Sequence, residues 1–320
     1  SFAQSSLYQS SAQFTLDRAA SLHDQQLFAA SLYENNQLLS TGLDLSQQKQ
    51  AELKRALSAL QLERPDGLGL IKKYIQDYAG QPSVASAATF LGNHYFFKNR
   101  YAEAIEAFEL APIGLVNKNS RADVAFKLGY SYFQLKDYAA AASYFDQVKE
   151  LTLPFAADAL YYSGYIAMEQ GNSQQAIREL QLAEKSEFYA TKVPYLLTSL
   201  YYEEGNYAEA IGYATPLLAS GKSFDQQESI HLFRAESHYS LKDFRNAADQ
   251  YNSFISFKTD ELTKEEYYKA GISFFETKNY QKSSEFLKVA ALGNPEIAQA
   301  ASYYLGHTYV QLGNFPYAVT

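Results

Sequence analysis

One spacing governs this chain. Two small residues lie 12 positions apart, and the pair recurs at intervals in the middle thirties. Within residues 127–145 the pair is Gly129 and Ala141. Leu128 and Gly129 come just before Tyr132, Lys136-Asp137 reads as a turn, and Tyr138, Ala141 and Phe145 follow. Apolar residues three and four apart share one face of a helix. Small side chains at Gly129 and Ala141 let two antiparallel helices approach, with Tyr132 and Phe145 filling the space around the contact. The unit is a helical hairpin.

The hairpin repeats. A turn residue with a small residue three later occurs as Tyr101/Ala104, Tyr138/Ala141, Ser173/Ala176, Tyr207/Ala210, Phe244/Ala247, Tyr280/Ser283 and Phe315/Ala318. Twelve before each second member stands Gly92, Gly129, Gly164, Thr198, Ala235, Gly271 and Gly306. A period of this size predicts stacked helix pairs. The hairpins are expected at about 83–111, 121–150, 155–186, 190–219, 224–257 and 261–292. Turns fall at Gly171-Asn172, Gly205-Asn206, Lys242-Asp243 and Lys278-Asn279, residue types that bond locally or accept left-handed backbone. Breaks between hairpins fall at 112–119, Leu153-Pro154, Gly221 and Asn294-Pro295.

Residues 9–80 lack the full signature but carry four amphipathic stretches. We read them as two divergent hairpins, with Asp24, Asp44 and Asp66 opening helices. The expected division is 1–82, divergent, and 83–320, regular. The last copy stops one turn into its second helix, which predicts a piece of a longer repeat array.

These residues resemble the tetratricopeptide repeat (TPR). Its Leu-Gly-x-x-Tyr, small, aromatic, Ala order stands here as Leu91-Gly92, Tyr95, Ala104, Phe108 and Ala111. The closing Pro survives at Pro295 and nearby at Pro154, and the opening Trp is missing throughout. The resemblance implies an all-α, right-handed superhelical solenoid of antiparallel helix pairs. It also implies a concave surface lined by the first helix of each pair, three positions before the small slot and one and four after it. Rings at those positions are Phe96, Phe126, Tyr130, Phe133, Tyr161, Tyr165, Tyr195, Tyr202, Tyr239, Tyr268, Phe275 and Tyr303. They are the expected partner-binding groove, because amphipathic rings bury large areas at low entropic cost. The alternative is that they pack on each other and stiffen the stack. A clamp for a peptide carboxylate needs Lys, Arg and Asn on this face, and only Asn93 and Lys192 approach that.

Little else points to chemistry. The net charge of −8 and the short Lys/Arg runs argue against nucleic acid and anionic membranes as partners. Cysteine is absent, so thiolate metal sites and disulfides are excluded. His23, His94, His231, His238 and His307 have no zinc spacing, though His231 and His238 lie two helical turns apart. Gly67-Leu68-Gly69 follows a proline and not a strand, so it reads as a helix start. No cofactor or metal is expected, and no catalysis. No stretch spans a bilayer.

The expectation is therefore a non-enzymatic scaffold for a protein or peptide segment. Ser1-Phe2-Ala3 has the small-x-Ala pattern of a secretory cleavage region, so the expected place is the periplasm or outer membrane. The resemblance then extends to envelope-associated TPR scaffolds of Gram-negative bacteria. Alternatives are a regulatory or glycan-binding repeat region of a larger protein, and a cytoplasmic regulator. Self-association through the solenoid ends is a further expectation.

Overall fold

The computed structural model describes residues 2–111, 116, 118–149, 155–257 and 262–318. These residues form eighteen helices and no strand. They divide into two compact units, Ser1–Phe155 and Ala156–Thr320. The first unit pairs α1 (Phe2–Asp24) with α2 (Phe28–Leu39), α3 (Leu45–Gln61) with α4 (Gly67–Asp77), α5 (Pro82–Phe97) with α6 (Tyr101–Glu109), and α7 (Lys118–Gln134) with α8 (Tyr138–Asp146). The second pairs α9 (Ala156–Glu169) with α10 (Ser173–Ala183), α11 (Val193–Glu203) with α12 (Tyr207–Ala219), α13 (Gln227–Ser240) with α14 (Phe244–Phe257), α15 (Lys264–Glu276) with α16 (Tyr280–Ala290), and α17 (Pro295–Gln311) with α18 (Phe315–Ala318). The seven turn residues of the repeat are the first residues of α6, α8, α10, α12, α14, α16 and α18.

The small slot is a notch for one side chain, and that side chain lies 16 residues downstream. A Cβ built on Gly92 would fall 2.5 Å from the Phe108 ring, and one on Gly129 would fall 2.9 Å from Phe145. In the second unit Leu180 closes on Gly164 at 2.9 Å and Leu287 on Gly271 at 2.8 Å. The sequence pattern placed Ala141 against Gly129, but the atoms nearest that glycine belong to Phe145 and Tyr144. Ala141 is nevertheless fully buried, as are Ala104, Ala176, Ala210 and Ala247. At Ser283 the hydroxyl donates to the Gly271 carbonyl at 2.9 Å, so the 12-residue pair does meet there.

The divergent N-terminal hairpin keeps the same register. Ala19 occupies the slot, and Ser31, 12 residues later, donates its hydroxyl to the Ala19 carbonyl at 2.8 Å. Its second helix is not capped by Asp24, which is the last residue of α1; Leu27 is the N-cap and makes no side-chain cap. Asp44 does cap α3, in a reciprocal pair with Gln47.

Every turn is made by backbone. The residue two before the second helix has positive φ in eight hairpins: Gln26, Asn99, Lys136, Gly171, Gly205, Lys242, Lys278 and Gly313. The next residue returns its N–H to a carbonyl five back, as in Arg100 to Tyr95 at 2.9 Å and Asn279 to Phe274 at 2.8 Å. This is the Schellman closure of a helix end. Glu63 plays the same part before α4, but three residues, Arg64-Pro65-Asp66, then intervene. The breaks expected around 112–115, 117 and at Leu153-Pro154 lie outside the described residues.

Two substitutions separate the notch from the turn. Gly92→Ala drives a methyl into the Phe108 ring, so it is expected to destabilise the chain by about 1–3 kcal/mol. Lys278→Gly relieves a left-handed side-chain residue, which gains about 1 kcal/mol. Urea unfolding followed by far-ultraviolet circular dichroism measures both. A neutral Gly92→Ala would remove the notch from the account.

Candidate functional site

Within each unit, neighbouring first helices touch. In the first unit, α5 packs on α7. Phe96 meets Tyr130 edge-on at 5.6 Å, and Tyr130 lies 6.2 Å from Phe126 and 6.5 Å from Phe133. Phe126 also stacks on Phe155 at 5.2 Å. The structure therefore joins the four expected rings of this unit into one patch, each of them half-buried.

Its polar edge is Lys127. The ammonium donates to Asn93 Oδ1 and Asp123 Oδ2, each at 2.7 Å, and sits 5.2 Å from the Phe97 ring. Asn93 is thus engaged inside the stack. Lys192, the other residue of the weak clamp pattern, lies 3.7 Å from the Phe188 ring.

In the second unit, α11, α13, α15 and α17 follow one another in contact. Tyr161 stacks on Tyr189 at 4.5 Å. Tyr195 and Tyr202 flank Phe233 at 6.1 and 5.4 Å. Tyr268 and Phe275 converge on Tyr304 at 6.4 and 5.7 Å. Tyr239 packs on Phe244 at 5.8 Å, and its hydroxyl pKa is pushed up to about 12 by burial. Tyr165 is half-buried, whereas Tyr303 is 64% exposed beside His307.

A buried carboxylate ties this unit together. Glu236, one residue past its small slot, is 4% exposed. Tyr251 donates to its Oε1 at 2.5 Å, and Lys269 and Tyr202 donate to its Oε2 at 2.5 and 3.2 Å. Lys269 comes from α15 and Tyr202 from α11, so three repeats share one anion. Burial opposes the lysine's charge, but Glu236 and then Glu265 outweigh it and hold the ammonium above its ordinary pKa. Tyr251 is driven well up, first by burial and then by the same carboxylate.

Sequence reasoning missed a whole position. Two residues before the slot stand Lys127, Phe233, Lys269 and Tyr304, and all four join the face. The signal was present, because that position lies three before the second expected groove position on the same helix. A second finding divides the expected groove. The turn ring packs on the ring five residues earlier in five hairpins: Phe96–Tyr101, Phe133–Tyr138, Tyr202–Tyr207, Tyr239–Phe244 and Phe275–Tyr280, at 5.7–6.0 Å. Where the turn residue is Ser173, the matching position is Met168. Those five rings therefore close their own hairpins, while Phe126, Tyr130, Tyr161, Tyr165, Tyr195, Tyr268 and Tyr303 do not meet a turn ring of their own hairpin.

The histidines have structural neighbours. His23 pairs with Ser58, His231 with Gln250 and His238 with Asp243, each at 3.0 Å. Burial holds all three imidazoles below the ordinary value. Among the described residues no group of three or more His, Asp or Glu is placed to hold a metal ion. No helix there is long and apolar enough to cross a membrane. Gly67 is the first residue of α4, and its Cβ position is closed by the Ala59 backbone at 2.9 Å, so it marks a close approach of helices.

Removing the shared anion leaves the half-buried Lys269 ammonium only the exposed Glu265, and leaves the buried Tyr251 hydroxyl without its acceptor. Glu236→Ala is expected to lower stability by about 3 kcal/mol in urea unfolding. A loss of about 0.5 kcal/mol, the size of an exposed pair, would show that the cluster holds nothing together.

Comparison with known proteins agrees with this architecture. Residues 126–190 and 195–260 match the family model described as the tetratricopeptide repeat. No curated protein is significantly similar in sequence. Among solved structures, the C-terminal part of a TPR repeat-containing protein from Cytophaga hutchinsonii superposes with a TM-score of 0.51 at 18% identity, covering 71% of this chain and 90% of that one. A chain of the Naa15/Naa10 complex bound to HypK-THB superposes with a TM-score of 0.58 at 14% identity, covering 93% of this chain and 44% of that one. At such identities the likeness speaks for fold alone. Tetratricopeptide repeats are typically non-enzymatic and point to a scaffold for protein–protein interaction. With hairpins in one register, and with the family model matching them over 126–190 and 195–260, those residues are tetratricopeptide repeats and the rest of the chain resembles them in fold.

Proposed function

We propose that this protein holds a segment of another protein against the aromatic face of its first helices, in the envelope of a bacterial cell, and performs no chemistry itself. The observation that carries the reading is the division of the rings. Phe126, Tyr130, Tyr195 and Tyr268 stay half-buried without serving as hairpin closures. Half-exposed rings fixed by neighbours bury area on binding at little entropic cost. The charged groups on the same face, Lys127 and Glu236 with Lys269, are already paired within the stack. Recognition therefore falls to aromatic contact and to tyrosine hydroxyls bonding peptide backbone. The envelope location rests on the small-x-Ala pattern at residues 1–3.

Photo-crosslinking amino acids placed at Tyr195 and Tyr268 are expected to trap the same defined partner in the cells that encode the protein, in the envelope fraction. Placed at Ser143 and Gln281, on second helices, they should trap none. Equal trapping from both faces would refute the groove, and recovery of the trapped complex in the soluble cytoplasmic fraction would refute the location.

A further inference from the structure

On the first-helix face of the second unit, hydroxyls are left over. Four consecutive first helices, α11, α13, α15 and α17, each carry at an expected groove position one tyrosine whose hydroxyl makes no hydrogen bond among the described residues: Tyr195, Tyr239, Tyr268 and Tyr303. None of the four hydroxyls is sealed from solvent. Tyr239 spends its ring on Phe244 but not its hydroxyl. Other tyrosines of the unit are committed: Tyr213 donates to Glu184 at 2.6 Å, and Tyr251 to Glu236 at 2.5 Å.

The charges beside these rings sort partners as well. Lys269 is held by Glu236 and Glu265, so no cation is left on it to receive an acidic side chain. Glu203 and Glu276, both exposed, end α11 and α15 next to Tyr202 and Phe275. An acidic segment meets like charge there. The face thus offers rings and hydroxyl donors to a segment without carboxylates.

The backbone of that segment is constrained too. An α-helix bonds its own carbonyls and leaves the hydroxyls nothing to donate to. A β-strand turns every second residue to one side, about 7 Å apart, short of the about 8–10 Å between packed helices. A polyproline II helix turns every third residue to one side, about 9 Å apart, and its carbonyls are unbonded. Proline adds an apolar ring and has no N–H that needs an acceptor. We propose, on the strength of the scaffold role above, that this face takes a proline-rich segment free of acidic residues, in polyproline II form. One turn of the segment lies over each first helix, and the tyrosine hydroxyls donate to its carbonyls.

Fluorescence anisotropy with labelled peptides tests this. A peptide of four Pro-Pro-Gln units should saturate at one per chain. Four Pro-Pro-Glu units should bind more weakly, and an alanine-rich helical peptide of the same length should not saturate. Tyr195→Phe combined with Tyr268→Phe keeps both rings, removes two donors and should weaken the Pro-Pro-Gln peptide about tenfold. No saturation by that peptide, equal binding of the helical one, or affinity indifferent to the double substitution with circular dichroism unchanged, would overturn the proline assignment. A partner crosslinked from Tyr195 and Tyr268 through a segment without proline would overturn it too, while leaving the scaffold role standing.

Discussion

Each hairpin depends on one fit, a side chain received by the bare backbone of the helix opposite. Phe108 in the notch of Gly92 and Leu287 in that of Gly271 are the same joint, filled by a ring in one unit and by a branched alkyl group in the other. The notch sets how closely the helices approach and the filler sets their rotation, so each repeat presents the same positions to the same faces. Dense packing leaves little slack for a different register. The aromatic contacts within each unit and the Glu236 cluster follow from that shared register.

Much of this was legible in the sequence, for a physical reason. A notch tolerates only small residues, and a turn ring must meet the ring five before it, so both leave periodic marks. The first residues of α6, α8, α10, α12, α14, α16 and α18 could be read directly. The turn geometry was less legible, because left-handed backbone at Lys136, Lys242 and Lys278 is imposed by helix closure on residues that give no sign of it. The filler was also misassigned. A spacing of 12 picks out residues level with each other across the hairpin, but the side chain that enters the notch leans back from one turn further along. The position of Lys127 and Phe233 was overlooked because its residues differ in kind from copy to copy, even though its geometry repeats.

Repetition also makes departures informative. Where one copy changes a residue that its neighbours keep, the others act as a control within the same chain. Glu236 is such a departure, a carboxylate at the position that Asn93, Tyr130, Tyr165, Ser199, Ile272 and His307 fill in the other copies. There a first helix gains a buried anion that three repeats share.

The joint itself is tested most directly by a double-mutant cycle between notch and filler, Gly129→Ala with Phe145→Ala, using unfolding free energies in urea. Leucine fills the notch elsewhere as closely as the ring does, so the filler is cut back to alanine. If the glycine exists to receive the ring, losing the filler should relieve the added methyl, and the two changes should couple by about 1 kcal/mol or more. Strict additivity, with Gly129→Ala equally harmful whatever stands at position 145, would contradict the account.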